Sequence, residues 1–478
     1  MKILLIAYDN GSYIGWFPQG IAYLTSYLER DGYDVDLYLQ DIHHYPSKHL
    51  TDYLNKNKFD IVGVGVIAGY YQYQQLKKLS AAINKSKNRP FFVLGGHGPS
   101  PEPDYFLKLT GADAVVIGEG EETMLDLVNS RVNNTPLHKV KGIAFRDIAG
   151  TTITTSGRPL IKDLDSIPFP AYHRFPIEIY RLGQYPNMKI TEFAMPVLTG
   201  RGCTFKCNFC YRLDKGHRAR SSESVLEEVK YLQVNYGISY IDFSDELLMI
   251  SKDRTVKFCE DIIKSGLKFS WTCNGRLNYA TDEVIDVMKK AGCNYINYGI
   301  EAMDDDVLKG MKKGLRVKMV HKGIEATLKA GIHPGFNIIF GHKGDNRETL
   351  NKAVDFLLKY NDHSELRTIR PVTPYPGSPL YYEAIEKGLL KNCEDFYENK
   401  HTNSDLLAVN FTELSDDAVH VRFYYEGVLQ AAGITRDYRT RASMNWVKEG
   451  GNWVAKTMHF SPAKFGDVTV TQASDFED

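Results

Sequence analysis

Short apolar runs alternate with amphipathic stretches from the start of the chain. Ile3–Ala7 is apolar throughout and of strand length, Val35–Leu39 is a second strand candidate, and 61–67 (I-V-G-V-G-V-I) a third. The third lacks any polar position, as a parallel strand covered on both faces requires. Phe91–Leu94 and Ala114–Ile117 follow, and each runs into glycines, G-G-H-G and G-E-G-E. Between the first two runs Ile21, Leu24 and Leu28 recur at helical spacing. The pattern predicts an α/β fold that opens with a doubly wound, Rossmann-like sheet over residues 1–135, its ligand loops at the carboxyl ends of the strands.

Residues 136–190 read as a linker, with a hairpin around Gly150 and the proline-rich run D-L-D-S-I-P-F-P-A-Y. From Met195 the alternation resumes at a longer repeat. Strands are expected near 195–200, 239–243, 268–272, 294–298, 335–340 and 367–372. Val225, Val229 and Leu232 give one intervening helix its apolar face, with Ser222 or Ser224 as its cap. Six β–α units over 191–385 predict a partial (β/α)6 barrel with its chemistry at the carboxyl ends of the strands. Residues 386–478 form a smaller C-terminal region, and its final part is too polar and irregular to read.

Composition narrows the classes. A chain of 478 residues with 43% hydrophobic content builds two or three ordinary cores. A net charge of −1 gives no global field for nucleic acid or membrane. No apolar run reaches membrane-spanning length, and the apolar N-terminus is too short for a signal segment and reads as a buried strand. A cytoplasmic, reducing location is the expectation.

The most specific motif is R-G-C-T-F-K-C-N-F-C-Y at 201–211. Cys203, Cys207 and Cys210 on one short loop after a strand suit a cubane iron–sulfur cluster held at three irons, with the fourth open to a small molecule. A zinc site is the alternative. It would want a fourth ligand, and the nearest candidate, His217, lies seven residues on among Lys215, Arg218 and Arg220. Cys259, Cys273, Cys293 and Cys393 read as scattered core residues.

C-x3-C-x2-C followed by an aromatic, here Tyr211, resembles the hallmark of radical S-adenosylmethionine (SAM) enzymes. The first domain resembles the cobalamin-binding (B12) domain that precedes the barrel in one branch of them, through G-W-F-P-Q-G-I-A-Y-L, L-G-G-H-G-P-S and I-G-E-G-E-E-T. This resemblance implies three cofactors: a [4Fe-4S] cluster on the three cysteines, SAM and cobalamin. It implies methylation of an unactivated carbon by way of methylcobalamin and a 5′-deoxyadenosyl radical. Cyclisation or rearrangement without methyl transfer is the alternative, and a non-catalytic sensor a more distant one. It also implies an external electron donor such as flavodoxin or ferredoxin, and a small-molecule, peptide or lipid substrate.

The resemblance further assigns residues. Gly95, Gly96 and His97, with Gly118, Glu119 and Gly120, line the cobalamin loops. Tyr211, Asp245, Glu246, Arg276 and Glu301 belong to the SAM site: an acid for the amino group, Arg276 for the carboxylate, Glu301 for ribose or substrate. A helix cap at Asp245 or Glu246 and a structural ion pair at Arg276 are equally consistent with those residue types. Asp41-Ile42-His43 starts a histidine motif for cobalt, but after the second strand and with Pro46 where its glycine belongs, so His43 and His44 read as ordinary loop residues. His342-Lys343 stands where the family often has Leu-Pro, and P-Y-P-G-S-P-L-Y at 374–381 forms a rigid turn near the substrate opening.

Overall fold

The structure, a computed structural model, describes residues 1–11, 15–213, 216–360, 367–401, 408–411, 418–431, 434–449 and 452–462, the last three stretches as backbone. The first sheet has the order β2-β1-β3-β4-β5-β6-β7. Its strands are β1 (Lys2–Ala7), β2 (Asp34–Leu39), β3 (Ile61–Gly65), β4 (Phe91–Gly95), β5 (Ala114–Val116), β6 (Ile143–Arg146) and β7 (Thr152–Thr154). The first five run parallel. β1 lies between β2 and β3, so successive crossovers leave in opposite directions there and open a crevice at the carboxyl ends of β1 and β3. Strand β3 stops at Gly65, two residues before the apolar run ends. The helix Gln19–Arg30 buries Ile21 and Leu28 on the sheet, with Leu24 partly covered.

The hairpin expected around Gly150 is β6–β7, and it adds to the first sheet in antiparallel fashion. The first sheet therefore extends to residue 154, past the boundary near 135 that the strand–helix alternation suggests. A hairpin has no 3.6-residue period to mark it as part of an α/β unit.

The second sheet is six parallel strands in the order β15-β14-β13-β12-β11-β8. These are β8 (Ala194–Val197), β11 (Tyr240–Phe243), β12 (Ser270–Gly275), β13 (Cys293–Glu301), β14 (His333–Phe340) and β15 (Arg367–Pro371). Right after β8, the two-residue strands β9 (Gly200–Arg201) and β10 (Arg218–Ala219) pair antiparallel and bracket the cysteine loop. The helix Ser222–Tyr236 turns Val225, Val229 and Leu232 onto the sheet. Its cap is Ser221, whose hydroxyl accepts the N–H of Ser224; neither Ser222 nor Ser224 caps it.

After the barrel the chain returns to the first domain. Tyr397 stacks on Tyr73 with ring centroids 4.5 Å apart, and Lys77 pairs with Glu398 at 2.7 Å. Strands β16 (Ala418–Ala431), β17 (Ile434–Glu449) and β18 (Asn452–Pro462) form an antiparallel meander. The sequence leaves the role of residues 430–478 open; these backbone strands take up much of that range, and residues 463–478 lie outside the described residues. Among the described residues no helix is long and apolar enough to cross a membrane, and all seven cysteines are free.

Candidate active site between the two sheets

The cysteine loop is fastened by Asn208, which stands between Cys207 and Cys210. Its backbone N–H donates to Met311 O at 3.0 Å, and its carbonyl accepts from Leu380 N at 2.9 Å. Its side chain donates to Gly310 O and meets His342 Nε2, both at 3.2 Å. The loop is thus tied at one residue to the segments after β13, β14 and β15. His342, at the position that departs from the family pattern, is one of these anchors. Its turn is closed by Asp345, whose carboxylate accepts from the N–H groups of Gly341 and His342.

The sulfurs meet positive charge. Cys207 is buried, and Arg276 Nη1 lies 3.9 Å from its sulfur. The hydrogen bond from Cys210, then Lys313 and Arg276, draw the Cys207 thiol down to about 6, and Cys210, which keeps the shared proton, moves up. Arg276 stacks over Phe205 at 3.5 Å, its Nε donates to Asn278, and its Nη2 is buried without a partner. A buried unpaired guanidinium nitrogen is costly unless an acceptor arrives, and a ligand carboxylate is the natural one.

Lys313, which sequence reasoning passed over within M-K-K-G, is 6% exposed and pairs with Glu301 at 2.7 Å. Glu301 has a left-handed backbone (φ +70°) at a bulge of β13 against β14. A non-glycine residue held there, buried and ion-paired, is the kind of strain that concentrates at functional sites.

The predicted acids divide. Asp245 is 2% exposed, and its two oxygens accept from the N–H and hydroxyl of Thr199 at 2.6 and 2.5 Å. It clips the end of β8 to the end of β11, with both oxygens already engaged by Thr199 and the side chain closed off from solvent. Burial pushes its carboxyl up to about 6. Glu246 is exposed and uses one oxygen to accept from Gly202 N, so the other is available.

The first sheet reaches this site through the loop after β4. The His97 ring lies edge-on to Tyr211 with centroids 6.2 Å apart, and it feels the Glu246 carboxylate, although burial sets the net direction of its pKa, downward. Tyr211 is wedged between sheets: a Cβ at Gly377 would lie 2.5 Å from its ring and 2.7 Å from Pro101 Cβ. Gly96 answers to a different neighbour than a flat ligand. Its Cβ would stand 2.5 Å from Val66 O, so glycine is required there for the loops after β3 and β4 to touch. Gly95 meets only Val116 at ordinary distance, Gly120 faces Leu24, and Gly118 faces open space.

Glu119 is committed to protein. It accepts from Arg201 and Arg218 at 2.9 Å and from Ile161 N at 2.8 Å, while Glu121 takes the other arm of Arg201 at 2.6 Å. This cluster clasps the G-E-G-E-E loop to the ribbon that brackets the cysteines. It was not legible from spacing, because each arginine stands 80 or more residues from the glutamate it meets.

The residues present fit the implied groups. Among the described residues no three His, Cys, Asp or Glu side chains converge on one ion. His217, the fourth ligand a zinc reading wanted, packs against the backbone of β9, where its Nε2 would lie 2.9 Å from a Cβ at Gly200. A cubane takes each thiolate on a different iron and needs no such convergence. At the crevice of the first sheet Trp16 and Ile67, on the loops after β1 and β3, are 57% and 55% exposed. Large apolar side chains left open at a switch point suit a broad, partly apolar ligand. His43 is exposed, and His44 pairs with Asp9 at 3.0 Å. The loop after β3 passes into a helix at Tyr70.

Inside the barrel, three amides form a chain: Asn274 donates to Asp245 O, Asn297 to Asn274, and Asn337 to Asn297. Such an interior is polar where a closed barrel is filled with branched apolar side chains.

A doubly wound ligand-binding sheet facing a cysteine-bearing partial barrel defines a two-domain cofactor enzyme. The Radical SAM superfamily model matches residues 197–357, and the B12 binding domain model residues 13–128. A protein of Pyrococcus horikoshii, named an uncharacterized methyltransferase, is 30% identical over 401 residues, covering 82% of this chain and 84% of its own. The anaerobic magnesium-protoporphyrin IX monomethyl ester cyclase of Rubrivivax gelatinosus is 27% identical over 406 residues, covering 81% and 70%. The radical SAM methyltransferase TsrM of Kitasatospora setae shares the fold, with TM-score 0.66 at 19% identity over 81% of this chain and 75% of that one. The chain belongs to the radical SAM enzymes that carry a B12-binding domain.

Proposed function

We propose that this enzyme is a cobalamin-dependent radical SAM methyltransferase acting on an unactivated carbon of a small polar substrate. The observation that carries the reading is the meeting of His97, from the first sheet, with Tyr211 of the cysteine loop, which supports a shared cavity for both sets of cofactors. When bound, the cluster, SAM and cobalamin supply reductive cleavage of SAM, hydrogen abstraction and methyl delivery. Cys203, Cys207 and Cys210 would hold the cluster. The free Nη2 of Arg276 would receive the SAM carboxylate, and the free oxygen of Glu246 its amino group. Lys313 holds Glu301 in place beside them. Trp16, Ile67 and the loops of Gly95–His97 and Gly118 would cover the corrin. The amide chain in the barrel favours a substrate with hydrogen-bonding groups over a lipid. The electron comes from an external carrier such as flavodoxin or ferredoxin, and the free thiols suit a reducing cytoplasm.

A cyclase reading is supported by the Rubrivivax relative. Anaerobic reconstitution with iron, sulfide and hydroxocobalamin, then SAM and a strong reductant, separates the two. Methyltransferase activity yields deoxyadenosine, S-adenosylhomocysteine and the methylcobalamin spectrum. Deoxyadenosine with a corrinoid that is never methylated would favour the cyclase. A chain that retains no corrinoid, or forms no deoxyadenosine, would overturn the proposal.

A further inference from the structure

One enclosed acid has no part in the chemistry above. Asp242 lies on β11 between Ile241 and Phe243, both fully buried, and Phe243 packs edge-on to Phe258 of a covering helix. Alternation along the strand turns Asp242 to the other face, the inside of the barrel. It is deeply enclosed, yet unlike its two neighbours it keeps some accessible surface, so it opens onto space within the barrel. Asn274, Asn297 and Asn337 on the next three strands do the same, each partly accessible between two buried residues. The interior position below Asp242 is Tyr240, which stacks on Tyr185 with centroids 5.9 Å apart and has its hydroxyl taken by Pro186 O and Asn294, closing the floor. Two residues above, Ser244 donates to Gln19 Oε1 at 2.8 Å. Gln19 begins the first helix of the first domain, and its Nε2 is buried without a partner. The space over Asp242 thus leads up to where the two domains meet.

This interior offers acceptors. Among the described residues Asp242 makes no hydrogen bond or ion pair and faces no cation; the charge it feels is the carboxylate of Asp245. Burial, then Asp245, push its carboxyl up to about 7. Asn337 donates to Asn297 and to Tyr298 O, and its Oδ1 accepts from no described residue. A carboxyl left unpaired at such depth is costly, and a ligand that brings a charged donor removes the cost. A second acid nearby works against an anionic group at that end of the ligand.

We infer that Asp242 anchors the substrate, its carboxylate receiving the protonated amine of a small molecule that enters the barrel and reaches up to the junction of the domains. The inference rests on the enzymatic reading above and narrows its substrate class. An arriving ammonium favours the ionised carboxylate, and any proton held by Asp242 leaves to solvent. The Tyr185 and Tyr240 rings, which sense the Asp242 charge, give the floor an aromatic surface beside that pair.

The test uses the full-length reconstituted holoenzyme and a matched pair of probes, phenethylamine and its neutral isostere phenethyl alcohol, with affinities from ligand-observed NMR titration. Wild type should bind the amine about tenfold or more tighter than the alcohol. Asp242→Asn should erase that preference, and Asp242→Ser should do the same. A carboxyl with only a structural part would change thermal unfolding and leave the amine-to-alcohol ratio alone. Asp242→Asn should unfold no earlier than wild type, since the substitution removes an unpaired buried acid. Equal affinities for the two probes in wild type would overturn the anchor whatever the variants do, and so would a preference that survives in Asp242→Asn. If wild type keeps the amine preference but forms no deoxyadenosine from SAM and dithionite, it is the underlying enzymatic reading that fails.

Discussion

Lys313→Met is the substitution from which the geometry of the site predicts most. The ammonium sits 2.7 Å from Glu301, with side-chain exposures of only 8% and 10%, so solvent screens the pair weakly. At an effective dielectric of ~20 two unit charges at that separation attract by about 6 kcal/mol. Removing one partner of a buried pair costs about 3–5 kcal/mol, since the other charge is left uncompensated. The two partners are not equivalent. Without Lys313, Glu301 is left buried in a left-handed backbone with no other ion-pair partner among the described residues. Without the Glu301 charge, Lys313 still faces the thiols of Cys207 and Cys210. Lys313→Met should therefore cost about 3–5 kcal/mol. Glu301→Gln should cost less, about 1–2 kcal/mol, because a hydrogen bond survives. The assay is urea unfolding of cluster-loaded protein, comparing each variant with the double substitution, which should be milder than the sum of the singles. Equal losses for the two single variants, or a Lys313→Met protein as stable as wild type, would refute the reasoning.

Three further outcomes are expected. Serine at Cys203, Cys207 or Cys210 should leave reconstituted protein with little bound iron and sulfide, whereas Cys259→Ser and Cys393→Ser, at buried positions outside the loop, should load normally. Gly377→Ala places a methyl 2.5 Å from the Tyr211 ring on a backbone with φ +89°, and should lower stability by about 2–4 kcal/mol and reduce retained cobalamin, read by calorimetry and by corrin absorbance. Asp245, with a folded pKa of about 6 against an ordinary 3.8, binds its proton more tightly in the folded state. Its contribution thus favours folding below pH 4 and becomes a penalty on the order of 3 kcal/mol as pH rises past 6. Asp245→Asn should flatten that segment of the stability–pH curve, and an unchanged slope between pH 4 and 6 would contradict the burial argument.

The elements that position the site were legible because they are local. The apolar runs at β1 and β3 and the spacing of Val225, Val229 and Leu232 reflect burial on one face or two, which recurs at the period of the backbone itself. The three cysteines stand on one loop, so covalent spacing alone brings them together. The caps and turns were read less well. Ser221 rather than its neighbours caps the helix, because propensity does not separate adjacent serines and only the backbone angles decide. The hairpin β6–β7 was visible as a hairpin, while its place in the first sheet depended on pairing with β5, a contact across an intervening helix.

What the chain's order of residues determined by itself is the architecture of two sheets built on parallel strands and the chemistry of its cysteine loop. Tertiary structure alone decided which charges serve that loop. Glu119 looked like a ligand residue and is clasped by Arg201 and Arg218; Asp245 read as a SAM ligand or a helix cap and is held by Thr199; Lys313 and Asn208 carried no signal and stand at the centre. The reason is physical. Secondary structure follows from hydrogen bonding and burial repeated along the chain, but an ion pair or a buried amide depends on where segments a hundred residues apart meet, and no spacing along the chain records that meeting.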